Sequence, residues 1–342
     1  MTGSPLVIPV FIPHSGCPHR CVFCNQSILT GEASPMPDAG RVADIIQTYL
    51  DRSMPRPRVE VAFFGGNFLG LPSTQITALL ESVRPFLNSG AVHGIRFSTR
   101  PDTVTKEQMQ QVEHFPISLV ELGVQSMNDQ VLAAVHRGHT RNDTCRAMDQ
   151  LRALGINAGV QIMAGLPGDT QDGVIQTSQV LAKMYPSTVR IYPVLVLENT
   201  RLARWYQEGR YQPLTLEEAV AVTSRAYRIF TRAGAAVIRM GVQMSANEMG
   251  SVLAGPFHPG FGHLVHSRMM FEKTVQKIIS LGPARGSGTI RLRVHPSVES
   301  RLRGHRNGNL IKLKQRFPAI DFRVEADPVT GPDQIDIIEC PV

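Results

Sequence analysis

The sequence predicts an α/β fold built of repeated βα units, closed into a partial or complete barrel or laid open as a doubly wound sheet. Three observations predict it. Apolar, β-rich runs recur up to about Gln243. Helical patterns fill the intervals between them. Polar and glycine residues gather just after the runs, where such folds place their sites.

The runs, in order, are LVIPVFI (Leu6–Ile12), VEVAFFGG (Val59–Gly66), GIRFST (Gly94–Thr99), SLVELGVQS (Ser118–Ser126), NAGVQIMAG (Asn157–Gly165), TVRIYPVLV (Thr188–Val196) and AAVIRMGVQ (Ala235–Gln243). Their near-continuous hydrophobicity predicts parallel strands covered on both faces. Helices are expected over 38–50, 73–87, 141–154, 172–184 and 216–233. AGPFHPGFG (Ala254–Gly262) reads as a Gly/Pro-rich loop. A shorter unit follows it, with TIRLRVHP and IDFRVEAD as strands and 297–317 largely helical. The expected organisation is one domain over 1–253 and a small basic unit over 254–342.

Composition fits a globular chain, 42% hydrophobic and 18% charged. PLVIPVFIP is too short for a signal core and is broken by Pro9, and no apolar stretch reaches membrane-spanning length. The reading is cytoplasmic, with reduced thiols and no membrane partner. A net charge of +7 permits a polyanionic partner without requiring one.

HSGCPHRCVFCNQ (His14–Gln26) places Cys17, Cys21 and Cys24 within eight residues. An odd total of five cysteines with three clustered argues against a disulfide framework and for a metal or redox site. Three thiols in a Gly/Pro-containing loop after a strand are poor core material. Zinc is one alternative, with His14 or His19 as fourth ligand. Cys145, in a helical pattern suited to core packing, and Cys340 form no second pair. The other alternative is a four-iron cluster, which ordinarily takes four thiolates. A loop offering three leaves one iron open, as catalytic metal sites keep a vacant position.

The three-then-two spacing after a first strand resembles the signature of the radical S-adenosylmethionine (SAM) superfamily. FFGGNF, FSTRPD, ELGVQS, VHRGHT and MAGLPGDT extend the match. Together they resemble the radical SAM domain of the Elongator catalytic subunit and relatives near the oxygen-independent coproporphyrinogen oxidases, over roughly 8–243. The resemblance implies a partial or complete (β/α) TIM-like barrel of the radical SAM type with a small α+β C-terminal extension. It implies a [4Fe-4S] cluster on Cys17, Cys21 and Cys24, and SAM cleaved to a 5′-deoxyadenosyl radical that takes hydrogen from a substrate. It also implies an electron donor such as flavodoxin or ferredoxin.

By the same resemblance, Gly65 and Gly66 bind the SAM amino group through the main chain. Asn67 follows them, where the family often has an acid or Thr. Ser98, Gln125 and Arg137 are implied near the ribose or carboxylate, Gln161 is implied to bind the cofactor, and GLPG after it resembles the family's fifth-strand motif that contacts adenine. Other residues keep two readings. Arg100 and Glu121 line a ligand site or pair with each other. His136 and His139 are catalytic or structural, and Tyr192 donates hydrogen or packs.

The last unit is basic. Between 285 and 316 stand Arg285, Arg291, Arg293, Arg301, Arg303, Arg306, Lys312, Lys314 and Arg316, nine cations against the single acid Glu299. Such a strip suits phosphates, so RNA or tRNA is a candidate partner; a solvated helix face is the alternative. The Elongator subunit's acetyltransferase domain has no counterpart in the roughly ninety residues after 253, so acetyl-CoA chemistry is not implied. Three readings follow: a radical SAM enzyme acting on RNA, one acting on a small metabolite such as a tetrapyrrole, or a metal-bearing binding module without catalysis.

Overall fold

The computed structural model describes residues 5–12, 16–25, 36–54, 56–244, 246–280, 288–332 and 334–340. His14, Gln26 and Arg285 lie outside the described residues. The chain divides into one unit of 1–219 with 226–257 and another of 220–225 with 258–342.

The first unit is built on seven strands: β1 (Leu6–Ile12), β2 (Val59–Gly65), β3 (Gly94–Thr99), β4 (Ile117–Gln125), β5 (Asn157–Ala164), β6 (Thr188–Pro193) and β7 (Ala236–Met240). They pair in parallel and in sequence order. An order that never reverses is that of a barrel wound in one direction, not a doubly wound sheet. The edges β1 and β7 do not pair with each other among the described residues, so the barrel is partial. Edge position also explains Pro9 inside β1, since the missing N–H would break a ladder in a central strand.

Alternation along each strand separates two faces. Ile8, Val10, Val61, Phe63, Ile95, Phe97, Val120, Leu122, Val160, Ile162, Val189 and Ile191 are buried on the outer face. The alternate positions carry Pro9, Phe64, Arg96, Ser98, Glu121, Gln125, Gln161, Arg190 and Tyr192, which line a cavity. The runs are therefore not uniformly apolar core; many alternate positions from β3 to β6 carry polar side chains that line the interior.

Helix starts follow local chemistry. Thr140 with Asp143 and Thr215 with Glu218 form capping boxes, and Asp38 and Thr170 accept from the first turns of their helices. The helix expected over 73–87 is instead two, Ser73–Glu81 and Arg84–Asn88. Pro85 supplies no N–H and fits only a helix's first turn, so the second helix restarts around it. No described helix is long and apolar enough to cross a membrane.

The second unit has a sheet of β8 (Gly288–Val294), β9 (Ile320–Ala326) and β10 (Asp336–Cys340), in the order β9–β8–β10. Sequence reading missed β10 and the long helix Phe261–Ser280, which begins inside the expected loop. The core of this unit joins Val275 and Ile278 to Ile290, Leu292, Leu302, Leu313 and Ile320. The stretch 297–317 is not one helix. Glu299–Arg303 and Gly308–Arg316 are separated at Gly304, Arg306 and Asn307, whose φ values are 72°, 52° and 58°.

Candidate active site

A cavity of about 720 Å³ opens at the carboxyl ends of the strands of the first unit. Cys17, Cys21, Cys24, Gly65, Gly66, Ser98, Gln125, Arg137 and Gln161 all line it. His19, Arg100, Glu121, Met163, Arg190, Tyr192 and Arg239 line it as well.

The cysteine loop is held at both ends. Val22 sits between Cys21 and Cys24 and is buried against Val131, Val135, Leu166 and Leu202. Its N–H donates to the Val135 carbonyl (3.1 Å), and its own carbonyl accepts from the Leu202 N–H (2.8 Å). At the other end, Asn67 Nδ2 donates to the Gly16 carbonyl at 2.7 Å. Asn67 Oδ1 accepts from Thr99 Oγ1 (2.7 Å), the Arg100 N–H (2.9 Å) and Thr103 Oγ1 (3.0 Å). Asn67 therefore ties the loop to the end of β3. It is fully buried and is not among the cavity-lining residues. A side chain that pins rather than contacts is invisible in sequence, because its partners lie up to 51 residues away.

Replacing Asn67 with Leu is expected to leave the Arg100 N–H and the Gly16 carbonyl buried without partners. The cost is roughly 1–3 kcal/mol for each unsatisfied group. A fall in urea midpoint at unchanged slope measures it; an unchanged midpoint refutes the clip.

Gly65 has φ 106°, and a Cβ there would sit 2.3 Å from the Ile12 carbonyl oxygen. Only glycine lets the ends of β1 and β2 approach this closely beside the cysteine loop. Gly123 plays a similar part, since its Cβ would lie 2.7 Å from Arg137 Nη2. That nitrogen donates to the Gly123 carbonyl at 2.6 Å, and Arg137 Nη1 donates to Cys21 Sγ at 3.5 Å. Gln125 ends β4 at φ 68°, within a register shift, and accepts from Gln161 Nε2 at 3.4 Å.

Two buried arginines, Arg100 and Arg137, stand beside the thiols. Burial pushes the Cys17 thiol up, while Arg137 and Arg100 pull it down. Burial and the neighbouring Cys21 and Cys17 push Cys24 up to about 12. Arg100 is 2% exposed and pairs with Asp102 (2.9 Å), yet its Nη1 has no protein partner; Arg137 Nε has none either. Buried guanidinium N–H groups without acceptors are costly unless a ligand supplies them. Three free thiols, two such donors and a glycine edge around one space fit a thiolate-held metal cluster with an anionic ligand beside it. Among the described residues, no three His, Cys, Asp or Glu side chains are close enough to share a single ion. A multi-iron cluster, with each thiolate on a different iron, does not require that closeness.

Several expectations are corrected. Arg100 and Glu121 do not pair with each other. Arg100 takes Asp102, and Glu121 takes Arg96 and Arg190 across the barrel interior. GLPG lies outside the cavity lining; Leu166 is core, and the Gly165 carbonyl accepts from Tyr211 OH at 2.7 Å. His136 is exposed and bonded to Arg201 Nη1 (2.9 Å). His139 is buried against the Val124 carbonyl (3.2 Å). Burial, with Arg137 and Arg100 nearby, holds it near pKa 3, neutral. Tyr192 lines the cavity and accepts from Arg190 Nη1 at 3.3 Å. In the second unit, the strip's own Glu299 and three acids from outside it, Asp321, Glu325 and Asp327, reduce its surplus. Arg293 meets Glu325 (3.5 Å) and Asp327 (3.6 Å), Lys314 meets Asp321 (3.7 Å), and Arg303 meets Glu299 (2.7 Å).

The chain is similar to several known proteins. The chain is 28% identical over 231 residues to a tRNA uridine(34) acetyltransferase of Dehalococcoides mccartyi, covering 58% of this chain and 50% of that protein. It is 25% identical over 237 residues to the heme chaperone HemW of Synechocystis, covering 67% and 57%. The chain thus spans about half the length of the curated relatives it matches. The structure of an archaeal Methanocaldococcus infernus Elp3 superposes with a TM-score of 0.61 at 21% identity, covering 79% of this chain and 64% of that one, which shows the shared fold. Residues 186–270 match the Radical SAM C-terminal domain, residues 11–181 match the Radical SAM superfamily, and the chain belongs to that superfamily of enzymes.

Proposed function

We propose that this enzyme holds a [4Fe-4S] cluster on Cys17, Cys21 and Cys24 and binds SAM beside it. The observation that carries this is the meeting of the three free thiols, the Gly65–Gly66 edge and the partnerless Arg100 and Arg137 N–H groups on one cavity. When bound, the cluster supplies the electron, delivered by a donor such as flavodoxin or ferredoxin, that splits SAM into methionine and a hydrogen-abstracting 5′-deoxyadenosyl radical.

The chain's own residues position and shield. Gly65 and Gly66 present their backbone to the cavity, and Gly65 tolerates no Cβ beside Ile12. Arg137 and Arg100 bring positive charge to the thiolates and to a carboxylate. Ser98, Gln125 and Gln161 supply hydrogen bonds from three neighbouring strands. Phe11, Phe23 and Phe64 make part of the same space apolar.

The proposed substrate is RNA, supported by tRNA-acting relatives and the basic second unit. A second reading, a small carboxylate-bearing metabolite such as a tetrapyrrole, is favoured by Arg239 in the cavity lining and by the HemW relative.

Anaerobic reconstitution tests the cofactor reading. About four iron and four sulfide ions per chain are expected, with 5′-deoxyadenosine formed from SAM under a one-electron reductant. Zinc without sulfide overturns it. Loss of a modified nucleoside from tRNA of a strain lacking the gene supports RNA; a full set favours the metabolite.

A further inference from the structure

Residues 299–326 fold as two short helices between parallel strands, and the link between those helices is built rather than slack. Four residues, Gly304, His305, Arg306 and Asn307, join Glu299–Arg303 to Gly308–Arg316. Gly304 is required there, because its Cβ would lie 2.9 Å from the Asn309 backbone N. The Asn309 side chain is buried beneath the loop. Its Nδ2 donates to the Ser267 carbonyl (2.9 Å) and the Arg301 carbonyl (3.0 Å).

Strand topology gives this loop its meaning. β8 and β9 are adjacent and parallel, with both helices in the crossover and β10 antiparallel on the far side of β8. A βααβ unit with a Gly-x-x-Gly loop between its helices is the KH arrangement, which clamps about four nucleotides of single-strand backbone. Here Asn307, at φ 58°, stands in the second glycine's place, in a conformation Asn tolerates.

Charge and apolar surface agree with a nucleic-acid occupant. The acid of the first helix, Glu299, is tied to Arg303 at 2.7 Å. Arg306 is exposed in the loop and Lys312 is exposed one turn into the second helix. Gly308, Ile311, Lys312 and Gln315 share one helix face. Ile311 is 55% exposed on that face, an apolar surface for a base beside cations for phosphates. Asn307 gives the second helix no side-chain cap, so the first-turn N–H groups remain for an acceptor.

We propose that the Gly304–Gly308 loop, with Arg306, Lys312 and Ile311, clamps the sugar–phosphate backbone of single-stranded RNA. The proposal rests on the RNA reading of the substrate and names the element that holds it. A phosphate-independent protein partner is the competing occupant.

Fluorescence anisotropy on the full chain tests it, using a labelled single-stranded RNA 12-mer and the same sequence as a duplex. The single strand is expected to bind at least about tenfold tighter than the duplex, since the clamp fits a separated backbone. Two phosphates neutralised by Arg306 and Lys312 give a slope of log K against log salt of about −1.4. The double variant H305D/R306D is expected to weaken binding by about tenfold or more, because two carboxylates then face the phosphates. Asp tolerates the left-handed φ at 306, so the thermal melt should stay in place. Ile311→Ala, a surface change with good helix propensity, should weaken binding without a charge change and guards against misfolding of the first variant. Duplex preference, or both variants binding like wild type, overturns the clamp. So does an absence of salt-dependent binding by wild type. SAM cleavage by wild-type protein without RNA reads the proposed cofactor site separately, so the two readings fail independently.

Discussion

Alanine in place of any one of Cys17, Cys21 or Cys24 is expected to abolish iron binding and SAM cleavage. Losing a residue that merely orients a metal ligand typically costs about 10–100-fold, and losing a ligand should exceed that. The loop has no slack with which to compensate. Val22 is buried and bonded to Val135 and Leu202, and the Gly16 carbonyl is held by Asn67. His19 also lines the cavity, but its ring lies where a Cβ on Gly138 would be, 2.1 Å from His19 Cδ2. His19→Ala in the single-cysteine backgrounds tests whether this exposed ring can stand in for a lost thiolate. Cys145→Ala supplies the contrast. Cys145 is a half-buried thiol in the helix Arg141–Ala153 and should leave iron content unchanged. Iron and sulfide assays with 5′-deoxyadenosine measured by chromatography decide the matter. A single-cysteine variant that keeps full iron and activity would end the cluster assignment.

The second large effect is expected at Glu121. Its carboxylate is 5% exposed and lies between Arg96 and Arg190, with Arg190 Nη2 at 2.9 Å. Arg96 also reaches Glu60 at 3.5 Å, and Glu60 takes Arg58 at 2.8 Å. Burial weighs against the Arg190 charge, but Glu121 and Tyr192 outweigh it and hold the guanidinium above its ordinary range. Glu121→Ala leaves the half-buried Arg190 without its carboxylate and the buried Arg96 with only the longer contact to Glu60. Breaking a buried pair from one side costs roughly 3–5 kcal/mol, a large part of the stability of a typical domain. A urea titration should show the midpoint falling by that amount at constant slope. Glu121→Gln keeps the shape and some hydrogen bonding and should fall between the two. An Ala variant as stable as wild type would mean that water in the cavity compensates these arginines and would refute the ion-pair assignment.

The sequence alone determined the class of fold and the chemistry at its mouth. Seven apolar runs alternating with helical patterns require parallel βα units, because each strand needs covering and each crossover needs a helix. Cys17, Cys21 and Cys24 were legible because their meaning lies in spacing along one loop. Gly65 was legible because an αL-like bend after a strand admits few other residues. Wherever function depends on neighbours far apart in the chain, tertiary structure decided. Strand order made the sheet a partial barrel, since local propensity carries no information about which edge pairs with which. Glu121 chose Arg96 and Arg190 over Arg100 because strand alternation turns those side chains to one interior, whereas Arg100 lies beyond the end of β3 beside Asp102. Asn67 became a clip because two chain segments closed over it. The basic strip lost part of its surplus to Glu325, Asp327 and Asp321, acids that a linear count assigns elsewhere and that β9 and its flanks bring alongside. Gly304 and Asn307 divided the largely helical stretch 297–317 into two helices, a break that helical periodicity does not report.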